Sequence, residues 1–357
     1  MLPGLLVKLR PTTPWRVAPE SGARERSGSV YHSDNLFSAI TLAMKQLGLL
    51  EDWLTAAVAE SPAVRFSSCY PFLEETLYIV PPRNLWPPPP SSRVRWKGAR
   101  FVPVPVVETL VKDPEARIRE DEGWVVDAES ECLLRPPRSG KTQGPFRIGL
   151  RRSVAVDRLT GTPADPVITA CLEFAPDAGL WFAAAFANEE ARQRWSAPLQ
   201  AALRLLADSG FGGERSRGWG RSDAPLFTEG LFPDLLMSPP NVAPQAVEPT
   251  EPSAEAPPPA PVETAYWLLS LFSPSSSDSV DWNRGAYSVL EREGRTESPQ
   301  RHGERKRSLR MVGEGSVLLA AAPPVGSAPD VAPEGFPHPV YRAGFALAIP
   351  IMWRASA

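Results

Sequence analysis

The sequence has few of the residues that bind metals or form disulfides. Its three cysteines, Cys69, Cys132 and Cys171, are far apart, no C-x-x-C pair occurs, and only three histidines are present. This spacing predicts neither a zinc site nor a disulfide framework, and we expect free thiols in a reducing compartment. No stretch approaches the about 20 consecutive apolar residues that a membrane-spanning helix needs, and no signal-peptide pattern is visible. We therefore expect a cytoplasmic protein without metal, cofactor or membrane partner.

The chain is also short of net charge. Its 357 residues are 43% hydrophobic and 22% charged, which is typical of a globular protein with room for two domains. The net charge of −3 at pH 7 does not by itself predict a nucleic-acid partner. Basic residues are clustered, however, and binding depends on the local field. The 42 prolines exceed what helices and strands accommodate, so they predict loops and linkers.

The first 50 residues predict a strand, a polar loop and an amphipathic helix. A strand is expected from Gly4 to Pro11, where proline closes it. Ser33 or Asp34 can cap the helix that follows, and Gly48 is a suitable end for it. The apolar face of this helix is formed by Leu36, Phe37, Ile40, Met44 and Leu47.

The middle of the chain predicts further strands and a second helix. The segments "ITACLEFAP" and "GLWFAAAF" predict two adjacent strands that turn near residues 176–179. A helix over residues 188–210 follows, and Pro198 is expected to interrupt it and to restart it as a first-turn proline. Residues 71–149 mix short strands, such as "TLYIV" and "FVPVPVV", with proline-rich tracts. That mixture predicts a segment that leaves the domain and has a poor hydrophobic core of its own.

A proline-rich segment divides the chain. Residues 238–261 contain nine prolines and no aliphatic periodicity, which predicts a stiff linker or a long loop. Strand patterns resume after it in "TAYWLLSLFSP", "GSVLLAA" and "YRAGFALAIPI". The fold class that we predict is α+β. We predict an N-terminal domain over residues 1–237, with an insertion around 71–149, and a C-terminal domain over residues 262–357.

The segment "FGGERSRGWGRSD", Phe211–Asp223, predicts a loop that contacts a polyanion. It lacks the lysine and hydroxyl residue of a P-loop, and it follows a helix instead of a strand. Glycines allow backbone N–H groups to approach a phosphate closely, arginines donate forked hydrogen bonds, and a tryptophan offers a stacking face. The alternative is a hairpin that only turns the chain. The candidate RNA-binding residues are Gly212, Gly213, Arg215, Ser216, Arg217, Gly218, Trp219, Gly220 and Arg221.

Two other stretches are basic. Residues 135–158 contain one acidic residue, Asp157, and the turn formers Gly140, Gly144 and Pro145, which would suit a projecting hairpin that touches phosphates. The alternative is a solvated face without a ligand. The candidates here are Arg135, Arg138, Lys141, Arg147, Arg151, Arg152 and Arg158. The second basic stretch, Arg292–Arg310, could contact RNA or a protein partner, but a mobile loop is the preferred interpretation.

Several of these segments resemble a known family. A helix followed by a glycine-rich, arginine-containing loop resembles the signature of the RAMP superfamily of CRISPR proteins. The motifs "YHSDNLFSAI", "RRSVAVDRLTGTPAD" and "EGSVLLAA…HPVYRAGFALAIPI" resemble, in the same order, segments of the fourth-subunit family of the Csm (type III-A) effector. The proline-rich tracts at 81–90 and 238–261 depart from that pattern.

This resemblance implies two ferredoxin-like (RRM-like) domains and a protein that binds the 5′ repeat-derived handle of the CRISPR guide RNA. It adds His32 and Ser33, in the first-helix motif, to the candidate RNA-binding residues, and it implies that the basic hairpin is a "thumb" against the guide. The implied partners are the guide RNA, the large polymerase/cyclase-like subunit and the backbone RAMP subunit. The family subunit is regarded as non-catalytic.

Two alternatives remain open at this stage. One is a RAMP endoribonuclease that uses His32 as general base or Asp34 as a catalytic carboxylate, although no proton-transfer partner is evident in the sequence. Helix capping is the simpler explanation for Asp34. The other alternative is a scaffold that contacts only proteins.

Overall fold

The computed structural model describes residues 1–19, 23–88, 96–113, 123–135, 143–163, 165–238, 263–297 and 302–353. The helices in these residues are α1 (Ser33–Gln46), α2 (Leu50–Ala57), α3 (Val104–Lys112) and α4 (Glu189–Ser209). The strands up to the proline-rich segment are β1 (Leu2–Leu9), β2 (Val64–Phe66), β3 (Tyr70–Leu73), β4 (Thr76–Ile79), β5 (Val102–Pro103), β6 (Val125–Val126), β7 (Leu133–Leu134), β8 (Phe146–Ser153), β9 (Val167–Phe174), β10 (Ala178–Phe186) and β11 (Leu226–Phe232).

The strands after the proline-rich segment are β12 (Thr264–Leu268), β13 (Val280–Ala286), β14 (Val289–Arg292), β15 (Arg295–Glu297), β16 (His302–Arg305), β17 (Leu309–Val312), β18 (Val317–Ala320), β19 (Gly326–Ser327), β20 (Gly344–Phe345) and β21 (Ala348–Met352). No helix among the described residues is long and apolar enough to cross a membrane.

The larger sheet has the order β11-β1-β10-β3-β4-β5, and β2 also pairs with β10. Its pairs are antiparallel, so the protein is a mixed α+β fold built on antiparallel sheets. Every residue of β10 is buried, which explains why this strand lies inside the sheet. Helices α1 and α4, which follow β1 and β10 in the chain, pack against each other. In chain order, β1, α1, β2, β10, α4 and β11 follow one another in the pattern β-α-β-β-α-β, with other elements inserted between them.

The smaller sheet repeats this spatial order. Its strands lie in the order β13-β18-β12-β21, so that the first strand in sequence sits between the last two. In the larger sheet β1 likewise lies between the last two strands in sequence, β10 and β11. Residues 263–297 and 302–353 contain no helix, however. Both sheets are antiparallel, but two ferredoxin-like domains remain a prediction, as do the domain boundaries. The proline-rich residues 239–262 lie outside the described residues.

The predicted pairing of the two middle strands is wrong. β9 pairs with β8, in register from Phe146 opposite Phe174 to Ser153 opposite Val167, and not with β10. The reason is that both edges of β10 are already occupied, one by β1 and the other by β2 and β3. β9 therefore leaves the sheet and forms a separate two-stranded hairpin with β8.

Two helix predictions also need correction. Within "FVPVPVV" only Val102–Pro103 is strand, and α3 begins at Val104, because proline is well suited to the first helical turn. α4 runs unbroken through Pro198. The side chains on both sides of this proline, Trp195 and Leu199, are buried in the core, and tertiary packing holds one continuous helix.

Residues 71–149 are less of an excursion than the sequence indicates. β3 and β4 extend the larger sheet, and Phe72 and Phe101 are fully buried. Trp96, Val107 and Leu133 belong to the same hydrophobic core. This part of the chain contributes to the core of the first sheet, so the predicted poor core is wrong.

Candidate RNA-binding surface

The glycine-rich loop leaves α4 at Gly210 and is fixed to the N-terminal segment. The Phe211 ring is fully buried and stacks on Trp15, with 5.0 Å between the ring centroids. The Phe211 amide donates to the Gly220 carbonyl over 2.9 Å, and the Gly220 amide donates to the carbonyl of Pro14 over 2.9 Å. The two ends of the loop are therefore closed on each other and held in one conformation.

Two of the glycines are required by this packing. Gly220 has φ +82°, and a Cβ atom there would lie 2.0 Å from the Phe211 carbonyl oxygen. At Gly212, with φ +71°, a Cβ atom would lie 2.4 Å from the Arg16 carbonyl oxygen. Gly218 also has a positive φ, +79°, but its Cβ direction is open. The close approach that glycine permits at Gly212 and Gly220 is thus to the protein's own backbone.

The tip of the loop is a 3₁₀ turn over Arg215–Arg217. Ser216, Arg217 and Arg221 are exposed, while Arg215 and Trp219 are half-buried. The Arg217 guanidinium lies 3.2 Å from a carboxylate oxygen of Glu214 and donates to the Ser153 hydroxyl over 3.4 Å. Because Ser153 ends β8, the tip of the loop reaches the β8–β9 hairpin.

That hairpin carries most of the second basic cluster. Arg147 and Arg151 both pair with the carboxylate of Glu173 across the hairpin, at 3.0 Å for Arg147. Arg152 and Arg158 are exposed and make no ion pair with another described residue. The hairpin also exposes apolar side chains, namely Ile148, Leu150, Val154, Val156 and Leu159. Its exposed surface therefore combines cationic and apolar groups.

The hairpin is not where the turn formers indicated. Gly144 and Pro145 are buried and precede β8, while the chain reverses between β8 and β9, where Asp157 accepts hydrogen bonds from the Leu159 and Thr160 amides. Arg135 is exposed before this hairpin. Arg138, Lys141 and Gly140 lie outside the described residues.

One short segment fixes both the hairpin and the loop. Trp15 exchanges backbone hydrogen bonds with Leu172 of β9, at 3.0 and 2.7 Å. The buried Arg16 guanidinium donates to the Ala170 carbonyl over 3.0 Å, and burial lowers the pKa of this group. The Gly213 amide donates to the Arg16 carbonyl over 3.1 Å. The loop and the hairpin are therefore held side by side, and we call their exposed residues together the loop–hairpin surface.

His32 and Ser33 are buried and contact residues of the second half of the chain. His32 Nδ1 lies 2.7 Å from Glu314 Oε1, and the Ser68 hydroxyl donates to the same oxygen. The Ser33 hydroxyl accepts the Leu271 amide over 3.1 Å. Burial alone would raise the pKa of the Glu314 carboxyl, but His32 and Ser68 hold that pKa below its usual value. Both candidate residues thus have protein partners, and their contact with RNA stays a prediction.

The expectation that Asp34 or Ser33 caps α1 is wrong. The N-cap residue is His32, and no side-chain cap bond is made. Asp34 lies in the first turn, 2% exposed, where both carboxylate oxygens accept from Arg292 and one also accepts from Arg342. Burial alone would raise the pKa of this carboxyl, but Arg292 and Arg342 lower it to about 2.

The partners of the first-helix motif were not foreseen from the sequence. Glu314 lies 282 positions from His32, and Arg292 lies 258 positions from Asp34. No local spacing links such residues, so only the tertiary fold brings them together. The basic stretch Arg292–Arg310 is also not a mobile loop, because its described residues form strands from the end of β14 to β17. No cluster of metal-ligating side chains occurs in the described parts of the chain.

Comparison with known proteins gives matches to CRISPR subunits. Residues 263–351 match the family model of the CRISPR Csm4 C-terminal domain. A crystal structure of the Csm3–Csm4 subcomplex of the type III-A CRISPR-Cas interference complex matches with TM-score 0.60 and 16% identity, covering 97% of this chain and 99% of the other. A crystal structure of the Csm1–Csm4 cassette in complex with pppApA matches with TM-score 0.54 and 16% identity, covering 98% of each chain. No curated protein matches the sequence.

The fold of the whole chain, including the helix that precedes the glycine-rich loop, is therefore similar to that of Csm4, a subunit of type III-A CRISPR effectors. Residues 263–351 match the Csm4 C-terminal domain, and the whole chain has the fold seen in the Csm4 complexes. The resemblance inferred from the sequence motifs, to the fourth subunit of the type III-A effector, is confirmed.

Proposed function

We propose that this protein is the subunit of a type III-A CRISPR effector that binds the 5′ repeat-derived handle of the guide RNA. In this proposal it also joins the large Csm1-like subunit to the first Csm3-like backbone subunit. The matched structures contain Csm4 with Csm3 in one case and with Csm1 in the other, which supports two protein partners on one fold. We further propose two ferredoxin-like units, because both sheets share one strand order.

The observation that carries the RNA proposal is the joint anchoring of the loop–hairpin surface. Arg16 contacts both Gly213 of the loop and Ala170 of the hairpin, while Arg217 contacts Ser153. Exposed arginines from two distant parts of the chain therefore adjoin one another and can contact neighbouring phosphates of a single strand. Each contact alone is weak at physiological salt, but linked contacts reinforce one another. We therefore expect the protein to prefer single-stranded handle RNA to a duplex of the same sequence.

We propose that the subunit is not itself a nuclease. A general base must reach the proton that it removes, and His32 is 5% exposed and already bonded to Glu314. Asp34 is 2% exposed and is held by two arginines, so it is poorly placed to act on a substrate. These contacts favour a binding role over the endoribonuclease alternative.

The test replaces exposed arginines of the loop–hairpin surface. The double variants Arg217→Ala/Arg221→Ala in the loop and Arg152→Ala/Arg158→Ala in the hairpin should each weaken binding of single-stranded handle RNA. Each lost phosphate contact should flatten the slope of log affinity against log salt by about 0.7. Binding is measured by fluorescence anisotropy at several salt concentrations.

A matched control is Arg192→Ala/Arg194→Ala, which removes the same charge from the start of α4, away from the loop. It should leave the affinity for RNA and the salt slope unchanged. If both test variants fold and bind RNA with the wild-type salt slope, the loop–hairpin surface is not the contact. A scaffold that binds only proteins would then be the better proposal.

A further inference from the structure

A polar cavity of about 210 Å³ lies between the two halves of the chain. Its walls are Ala18 and Pro19, the first turns of α1, the turn between β14 and β15, Lys306 of the strand connection that follows β16, and the pair Tyr341 and Arg342. Asp34 and its two arginine partners form one side of the cavity. None of the sequence motifs indicates this site, because its walls come from widely separated segments.

The cavity has an excess of positive charge. The cations that line it are Arg292, Arg295, Lys306 and Arg342, and the anions are Asp34 and Glu293, which leaves a net charge of +2. The carboxylate of Asp34 already accepts hydrogen bonds on both oxygens from the two buried arginines. This carboxylate therefore holds the two guanidinium groups in place, and the lining as a whole keeps a positive potential.

A buried donor of Arg342 points to a missing acceptor. Arg342 is 6% exposed, its Nη1 donates to Asp34, and its Nη2 donates to the Glu293 carbonyl over 3.1 Å. Its Nε atom is buried and has no hydrogen-bond partner in the described structure. Buried donors are nearly always paired, so this guanidinium N–H is an unsatisfied donor of a residue that lines the cationic cavity.

The size of the cavity limits the ligand. A volume of 210 Å³ corresponds to about seven waters at about 30 Å³ each, and it is below the range of about 300–1,000 Å³ that holds drug-sized ligands. A phosphate group with its remaining hydration fits this volume. Tetrahedral phosphate oxygens are also the acceptors that forked guanidinium donors recognise best.

We propose that this cavity binds a phosphate group at the junction of the two halves of the chain, and that an RNA strand supplies it. The assignment of this phosphate group to an RNA strand rests on the proposed RNA-binding function. Arg16, which contacts the glycine-rich loop through Gly213, is two residues from Ala18 in the cavity wall. Two extended residues span about 7 Å, so one short RNA strand can reach from the loop to the cavity.

The first test measures inorganic phosphate binding to the full chain by titration calorimetry, at constant ionic strength with chloride as the balancing anion. Lys306→Gln and Arg295→Gln should each weaken phosphate binding about tenfold, as loss of a charge-assisted hydrogen bond predicts. Arg310→Gln is the matched control, because it removes an exposed charge from neighbouring strand β17 outside the cavity. If wild-type protein binds no phosphate, or if Arg310→Gln weakens binding as much as the cavity variants, the site is refuted.

The second test distinguishes the source of the phosphate. Single-stranded handle RNA should displace inorganic phosphate from the wild-type cavity. An uncharged methylphosphonate linkage at one position should weaken RNA binding to the wild type but not to Lys306→Gln. If phosphate binds and RNA does not displace it, the RNA source is wrong and the cavity takes free phosphate.

The loop variant Arg217→Ala/Arg221→Ala separates failure of this inference from failure of the proposed function. It should lose RNA affinity and retain the binding of inorganic phosphate. If the wild type binds no RNA but still binds phosphate, the proposed function fails while the anion site stands. If the wild type binds RNA with an affinity that Lys306→Gln leaves unchanged, the RNA function stands and the phosphate of that strand does not enter the cavity.

Discussion

Replacing Asp34 by alanine should destabilise the protein far more than loss of a helix cap would. The carboxylate is 2% exposed and pairs with Arg292 and Arg342, which are each 6% exposed as side chains. Its removal leaves two guanidinium groups buried without their counter-charge. Breaking a buried ion pair in this way costs about 3–5 kcal/mol, whereas losing an N-cap costs about 1 kcal/mol.

The same carboxylate should make stability depend on pH in the acid range. The pKa of Asp34 is lowered from 3.8 to about 2 in the folded protein. A group with a depressed folded pKa contributes stability above its unfolded pKa and loses that contribution as pH falls through the folded value. At about 1.4 kcal/mol per pKa unit, Asp34 contributes about 2.5 kcal/mol, which is lost between about pH 4 and pH 2.

The assay is urea unfolding followed by fluorescence of the 11 tryptophans, at pH 7 and at steps down to pH 2. Asp52→Ala is the matched control, because Asp52 also lies in the first turn of a helix. Its carboxylate is exposed, and its ion pair with Arg194 is long, at 3.9 Å. Its loss should change the free energy of unfolding by less than about 0.5 kcal/mol. If Asp34→Ala costs no more than about 1 kcal/mol, or if Asp34→Asn retains the full acid dependence of the wild type, the buried network does not stabilise the protein as argued.

Two further predictions concern the loop and the first-helix motif. Gly220→Ala should lower the free energy of unfolding by more than about 2 kcal/mol, because a strained φ of +82° combines with a Cβ contact of 2.0 Å to the Phe211 carbonyl oxygen. Gly218→Ala should cost only about 1 kcal/mol, because φ is similar, +79°, but the added Cβ atom has no neighbour closer than 4.0 Å. Equal losses in urea unfolding would show that the close approach is not limiting. His32→Ala should leave target-RNA cleavage by an assembled complex at the wild-type rate while destabilising the free subunit, since it removes one of the two side chains that bond to the buried Glu314 carboxylate. Loss of cleavage by a complex that assembles normally would favour the endoribonuclease alternative.

The sequence correctly predicted several helices and strands whose residue patterns are local. The alternation and turn residues around β1, α1 and the strands after residue 263 correspond to the observed elements within a few residues. The glycine-rich loop was located from composition alone, because glycines and arginines at such density are unusual after a helix. The proline in α4 was misinterpreted, since buried Trp195 and Leu199 on either side outweigh its local penalty.

Long-range pairing could not be predicted in the same way. "ITACLEFAP" and "GLWFAAAF" look like hairpin partners because they are adjacent, yet β10 has its two edges filled by strands from residues 2–9 and 64–73. Which strands pair with β10 therefore depends on the whole sheet and not on adjacent sequence. The cavity and the Asp34 network depend on segments more than 250 positions apart, as the Arg292 contact shows with 258, so no window of sequence contains the signal.

The first-helix motif illustrates how such a structure changes the interpretation of a sequence. A histidine, a serine and an aspartate in succession suggested RNA contact or catalysis. In the fold, His32 contacts Glu314, Ser33 contacts the Leu271 amide, and Asp34 contacts two arginines, so each residue of the motif bonds to the part of the chain after the proline-rich segment. The motif therefore fixes α1 to the part of the chain that follows the proline-rich segment.

This arrangement has a consequence for the proposed RNA binding. The helix α1 forms a wall of the phosphate-sized cavity through its first turns, and Ala18 and Pro19 connect that cavity to the segment that fixes the loop. Holding the two halves together with buried polar contacts therefore also sets the distance between the cavity and the loop–hairpin surface. A variant that loosens the Asp34 network should then weaken RNA binding even though Asp34 need not touch RNA. The effect of Asp34→Asn on RNA affinity, compared with its effect on phosphate binding alone, separates positioning from direct contact.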